Sequence, residues 1–362
     1  MQFSWICLKN YHQKMRFKEM TGKKIHKYFF VSFFITAIII HACNSKEKSL
    51  KRAELKSQIP HIIFDTDLGG DFDDVGAMGM LHALADRGEV NILATISCNP
   101  SPLVVPCISI INIYFGHPEI PVGSPKSPTR SQDSRELHFH DSLVAHFPSA
   151  YKNSDEAPDA VAVYRKVLSQ QPDSSVTIVS VGWVTNLMNL LLSKPDSISP
   201  LDGKELVAKK VKSWFAMLGG FPEREREANA VSDPMATQYA IDNWPTPIVF
   251  SGFEIGVDVK TGLRLIKEGP VDSPIRMAYS ISIPKRPGYT NGNSSYDQTA
   301  VLVAARGFKP YYSYKTGQFI TSDNGSNKWK YDPNGIHEYL VRKMSPDSVA
   351  FEIETLMMHS PN

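Results

Sequence analysis

Cysteine is scarce, with four residues in 362. Cys7 and Cys43 precede the body of the chain, which leaves Cys98 and Cys107. No CxxC and no Cys/His spacing suggests a zinc site. Cys98 ends an apolar strand-like run, and two buried free thiols are the expected state, although an envelope location would permit Cys98 and Cys107 to pair. Large charge of one sign is also lacking: the formal net charge is +2. Even that excess is local. Residues 1–42 hold seven basic residues against Glu19, a balance of +6, so the rest carries −4. A mildly acidic body does not suit a nucleic-acid partner. No internal repeat, low-complexity tract or linker follows Pro60. With 42% hydrophobic and 21% charged residues, that body has the composition of a globular protein.

The basic start has a separate reading. "KKIHKYFFVSFFITAIIIHAC" runs from a positive segment through about a dozen apolar residues to Ala42–Cys43. That run is short for a transmembrane span and suits a signal-peptide core. "IHAC" resembles a bacterial lipobox, which implies lipidation of Cys43 and attachment to the cell-envelope membrane. An uncleaved membrane anchor is the other reading. The expected organisation is a leader at 1–42, a polar tether at 43–60 ("NSKEKSLKRAELKSQ") and one domain at 61–362.

Within that domain strands and helices alternate. "HIIF", "VNILATIS", "IPVGS", "SVTIVSVG", "VKSWFAMLGG" and "TPIVFSG" read as strands. "DVGAMGMLHALADRG", "VVPCISIINIYFG" after Pro106, "DAVAVYRKVLSQQ", "TNLMNLLLSK" and "DPMATQYAIDN" read as helices. The fold class is therefore α/β, a mostly parallel central sheet flanked by helices. A C-terminal hairpin is expected around Asn324-Gly325, and a helix over "SPDSVAFEIETLMM". In such sheets ligands bind beyond the carboxyl ends of the strands.

Directly after the first strand comes "DTDLGGDFDD", with Asp65, Asp67, Asp71, Asp73 and Asp74. Carboxylates this close repel, and a cation among them offsets the repulsion. An EF-hand does not fit, because Gly69 and Gly76 stand at the fifth and twelfth positions counted from Asp65. A DxD phosphatase of the haloacid-dehalogenase type matches weakly, since Gly69 stands where Thr or Val is expected. A third reading is a calcium site that holds a sugar diol and a water. A fourth makes the acids simple caps of the following helix.

"DTDLGGDFDDVGA" resembles the nucleoside hydrolase signature DTDPGxDDA, with two extra residues before the last Asp pair and Leu68 in place of Pro. Further segments agree in order. "SCNP" resembles the segment that supplies a ribose-binding Asn, "SVGWVTN" resembles TGxLTN, and "MLGGF" resembles MGGGY. "EANAVSDPMA" resembles ExNxxxDPxA, and "SYDQTAV" resembles HDxxAV. The resemblance implies an N-ribohydrolase of the inosine-uridine preferring type, serving purine or pyrimidine salvage. It implies Ca²⁺ held by Asp67, Asp74, Asp297 and the Val181 carbonyl, with Asp67 also activating the water. It implies substrate contacts from Asp73, Asn99, Met217, Glu227 and Asn229. Asp65 is expected to fix the loop by accepting backbone N–H bonds, and Asp71 to be a surface loop residue. The partner implied is a small nucleoside or riboside; a homo-oligomer is compatible with it.

The pattern departs at Tyr296, where the family often has a His that protonates the leaving base. A Tyr hydroxyl donates a hydrogen bond but is a weak acid near neutrality. Tyr296 is nevertheless the catalytic candidate at that position. Trp183 and Phe221 are candidates to stack the base, with core or rim positions as the equal alternative. His138, His140 and His146 fall in a region expected to flank the mouth; a surface loop is the first reading for each, and if one is an acid it is His140 beside Asp141. A non-catalytic, calcium-dependent ribose-binding lipoprotein remains the alternative from another class.

Overall fold

The computed structural model describes residues 59–130 and 138–361. The leader, Cys43 and the tether up to residue 58 lie outside the described residues. Residues 59–362 form one compact unit. Its order is β1 (His61–Thr66), α1 (Asp73–Asp86), β2 (Asn91–Ser97), α2 (Val104–Tyr114), β3 (Val122–Gly123), α3 (Phe139–His146), α4 (Ala160–Ser169), β4 (Val176–Ser180), α5 (Thr185–Leu192) and α6 (Gly203–Lys210). Then follow β5 (Val211–Met217), β6 (Glu223–Arg224), α7 (Ala228–Ser232), α8 (Pro234–Asn243), β7 (Ile248–Ser251), α9 (Phe253–Gly256), β8 (Lys260–Thr261), α10 (Leu263–Glu268) and α11 (Pro274–Ser282). The chain closes with β9 (Asn293–Ser294), α12 (Tyr296–Arg306), β10 (Tyr312–Thr321), β11 (Asn327–Tyr331), β12 (His337–Arg342) and α13 (Pro346–Met357).

Ten strands form one sheet in the order β3-β2-β1-β4-β5-β7-β12-β10-β11-β6. From β3 to β12 every pair is parallel, and the last three pairings are antiparallel. The apolar runs that mark β1, β4 and β7 are buried along nearly their whole length, as a sheet covered on both faces requires. The expected C-terminal hairpin exists as β10 and β11, but it extends the main sheet. It is joined there by β12, whose "HEYLVR" carries too many polar residues to read as a strand.

The core lies in two layers, one on each face of the sheet. On one face α1 is buried from Asp73 to Leu84, so polar and apolar sides cannot be told apart by period. Two glycines allow its close packing. A Cβ on Gly76 would stand 2.5 Å from Tyr279 Oη, and one on Gly79 would stand 2.9 Å from Ile275 Cγ1. Glycine inside a helix costs roughly 1 kcal/mol, which contact with α11 and α12 offsets here. α2 begins two residues before Pro106, which sits in the first turn where its missing N–H is harmless. Cys98 and Cys107 are both buried and free.

Candidate active site

The chain lays β2 and β3 on one side of β1, then crosses to place β4 on the other. That reversal leaves a crevice past the carboxyl ends of β1 and β4, where open α/β sheets receive ligands. A cleft of about 520 Å³ opens there. Its floor is acidic: Asp67, Asp71, Asp73 and Asp74 follow β1, and Asp297 comes from the start of α12. Val181 follows β4, Met217 ends β5, and Glu227 and Asn229 stand at the start of α7.

Local bonds fix these side chains. Asp74 Oδ1 accepts from the Thr66 hydroxyl and, at 3.1 Å, from the Leu68 N–H. Asp71 Oδ1 accepts the Asp73 N–H at 3.1 Å. Asp73 Oδ2 accepts the N–H groups of Tyr296 at 3.0 Å and Asp297 at 3.3 Å. Gly182, next to Val181, lets β4 approach this loop. A Cβ there would lie 2.8 Å from the Asp67 nitrogen and 2.6 Å from Cys98 Sγ.

Burial, reinforced by neighbouring carboxylates, holds Asp67, Asp73 and Asp297 well above the usual carboxylate range. Burial, with the charge of Asp71, pushes Asp74 up to about 7. Carboxylate oxygens of Asp71, Asp73 and Asp74 lie within 4.8 Å of one another. Dense, buried oxygen donors of this kind fit a hard divalent cation, so the cluster can hold a metal ion. Asp71 is therefore not the surface loop residue expected from the sequence: it is half-buried, lines the cleft and belongs to the tightest acidic group.

Other expectations are corrected by tertiary contacts. Asp65 accepts no backbone N–H of its loop. Its Oδ2 takes the Tyr164 hydroxyl at 2.8 Å and the Asn186 amide at 3.0 Å, and burial pushes it up to about 7. Asn186, the last residue of "SVGWVTN", also bonds the Ser97 carbonyl and so ties β1, β2 and α5 together. Trp183 is buried, donating to Thr129 Oγ1 at 3.0 Å. Phe221 stacks on Tyr339 at 4.6 Å within an aromatic cluster. Neither lines the cleft; Phe253 and Tyr296 do, with ring centroids 5.2 Å apart. His140 is buried, its Nε2 2.7 Å from the Leu68 carbonyl, while His138 and His146 are exposed. None of the three lines the cleft.

The expected substrate residues are also held by the protein. Glu227 caps α7, accepting from the N–H groups of Gly219, Asn229 and Ala230. Asn229 donates its amide to the Val181 and Met217 carbonyls at 3.1 and 3.0 Å, joining the ends of β4 and β5. Asn99 is buried, donating to the Asp67 carbonyl at 2.9 Å, and does not line the cleft. Burial pushes the Tyr296 hydroxyl up to about 12, despite a hydrogen bond with Ser294. Sequence reading missed Phe253 and the arginines of the cleft. "FPEREREAN" displays two of those arginines beside a site motif, but composition does not say which way they face.

A mostly parallel sheet with a carboxylate-floored cleft at its switch point defines an α/β enzyme, and the family match gives its chemistry. Residues 62–323 match the model of the inosine-uridine preferring nucleoside hydrolases. The chain belongs to that family and is a hydrolase acting on N-glycosyl bonds. The match leaves no place for the phosphatase reading. Solved structures share the fold. The purine-preferring ribonucleoside hydrolase from Gardnerella vaginalis is 17% identical with a TM-score of 0.64, over 82% of this chain and 99% of that one. The inosine-uridine preferring nucleoside hydrolase from Bacillus anthracis is 15% identical with a TM-score of 0.60, over 83% and 99%. The type III effector XopQ, complexed with adenosine diphosphate ribose, is 16% identical with a TM-score of 0.61, over 83% and 93%. No curated protein matches the chain.

Proposed function

We propose that the protein is a calcium-dependent N-ribohydrolase in which Asp67 is the general base. One observation carries this reading: Asp67 and Asp74 after β1, Val181 after β4 and Asp297 from α12 border one cleft. Calcium bound among Asp67, Asp74, Asp297 and the Val181 carbonyl would neutralise the carboxylates and acidify a nearby water. Asp67, ionised, accepts the proton of the water that attacks the anomeric carbon. Asp73, Glu227 and Asn229 offer polar groups to the ribose, Met217 offers its apolar side chain, and Asn99 holds the Asp67 backbone. The C1′–N bond breaks with its electrons going to the base, through an oxocarbenium-like transition state. With its hydroxyl near 12, Tyr296 donates a hydrogen bond to the departing base and does not transfer the proton outright.

That same hydroxyl favours the second reading, a ribose-binding protein with little turnover. We further place the enzyme at the envelope, lipid-anchored through Cys43. Asp67→Asn separates the two functional readings. It should lower turnover by at least the ~10²-fold typical of general-base loss. Turnover equal to wild type, with calcium affinity measured alongside, would exclude Asp67 as the base.

A further inference from the structure

Above the acidic floor the same cleft carries arginines, which a neutral nucleoside does not call for. Arg130, Arg224, Arg226 and Arg286 all line it. The floor carboxylates Asp73, Asp74 and Asp297 are buried and Asp67 is half-buried; Arg224 and Arg286 are half-buried as well, and Arg130 and Arg226 are exposed. The cleft is thus acidic below and basic at the mouth. Two of the guanidinium groups are held in place by the protein. Arg224 lies over the Phe253 ring at 3.5 Å and donates from Nε to the Arg226 carbonyl at 3.1 Å. Arg286 Nη2 donates to the Gly70 carbonyl at 2.9 Å, within the aspartate loop. Its Nε is buried without a hydrogen-bond partner. Among the described residues none of the four pairs with a carboxylate. A buried N–H without an acceptor is destabilising, and a planar donor fork matches the oxygens of phosphate.

We infer that the substrate is a phosphorylated riboside, a nucleoside 5′-phosphate. Its phosphate is held by Arg224, Arg226 and Arg286 while the ribose meets the acidic floor. This rests on the ribohydrolase reading above. Water adds its oxygen to C1′, the C1′–N bond breaks, the base leaves with a proton, and ribose 5-phosphate is released with its phosphate ester intact.

The test compares each nucleoside with its own 5′-monophosphate (inosine, adenosine, uridine, cytidine) in calcium buffer. It adds calorimetric titration with ribose 5-phosphate. For at least one pair, kcat/KM should be at least tenfold higher for the monophosphate, with an advantage that shrinks as salt rises. Arg226→Ala and Arg286→Ala should each cost the monophosphate at least tenfold more than the nucleoside, chiefly in KM, and Arg286→Lys should recover part of the loss. Nucleosides cleaved as well as or better than their monophosphates would overturn the inference and leave the hydrolase reading intact. So would arginine variants that harm both substrates equally. Arginine-dependent binding of ribose 5-phosphate, with no substrate cleaved, would uphold the phosphate site and end the hydrolase reading. Absence of both cleavage and binding would overturn the inference.

Discussion

Asp73 Oδ2 accepts the backbone N–H of Tyr296 at 3.0 Å, joining residues 223 apart in the chain. Through it α1 caps α12, whose own N-cap residue, Ser295, makes no side-chain cap bond. The cap sets Tyr296 and Asp297 against the loop after β1. Asp73→Asn keeps an acceptor and removes a buried charge, so folding stability should stay close to wild type while activity falls. Asp73→Ala leaves two helix N–H groups without their partner and should cost roughly 1–2 kcal/mol. Urea denaturation of the two variants decides it; equal stability of Ala and Asn would show that the cap contributes nothing.

Leu68 occupies a position where the family signature has Pro, and its conformation explains why Pro is absent. Its φ is +32°, in the left-handed region, and its N–H donates to Asp74 Oδ1. Proline fixes φ near −65° and has no N–H. Leu68→Pro should therefore cost about 3 kcal/mol or more, whereas Leu68→Met, which conserves volume, should cost less than about 1.5 kcal/mol. Thermal melts of both variants test this. A Pro variant as stable as the Met variant would contradict the loop geometry.

His82 lies on α1 away from the cleft, buried against the Phe115 ring, with His117, Asp86 and Glu119 as its titratable neighbours. Its Nε2 faces Asn112 Oδ1 at 2.9 Å, and the Asn112 amide nitrogen is used on Thr95, so the proton sits on Nε2. Nδ1 is buried without a partner. Burial lowers its pKa from 6.5 to about 4. Above pH 6.5 the imidazole is neutral in both folded and unfolded chains, and its contribution is complete. As pH falls from 6.5 towards 4 the unfolded chain takes up the proton first, and stability declines, by roughly 3 kcal/mol in all. His337, also lowered to about 4 by burial, adds a loss of the same sign. Between pH 7.5 and 5.0, His82→Gln should lose less stability than wild type. Equal losses would contradict the assignment.

What the sequence made legible follows from where information is local. β1, β4 and β7 carry short apolar runs and β2 and β5 are apolar over most of their length, and the hairpin turn carries its own Asn-Gly signal. The strand β12 and the helices α9 to α12 carry no such local signal. Their residues are chosen by contacts with distant elements: "YDQTAVLVAAR" is a helix capped by Asp73, more than two hundred residues earlier. The site shows the same division. Asp67 and Asp74 stand out as carboxylates crowded after a buried strand, whereas Asp297 is marked only by the resemblance of "SYDQTAV" to a family motif. The partners of Asp65, the place of Asp71 and the orientation of Arg286 depend on chain segments that meet only after folding. Trp183 and Phe221 leave two readings open in the sequence for the same reason, since an aromatic ring suits a core and a cleft equally well, and the structure places both in packed aromatic or buried surroundings.

The most direct measurement is reducing-sugar release from a panel of ribonucleosides and their 5′-monophosphates, by protein stripped of divalent cations and then titrated with calcium. Turnover should be absent after chelation, return with added calcium, and fall at least ~10²-fold in Asp67→Asn. Release that is unaffected by chelator, or no release from any member of the panel with calcium saturating, would contradict a calcium-dependent ribohydrolase.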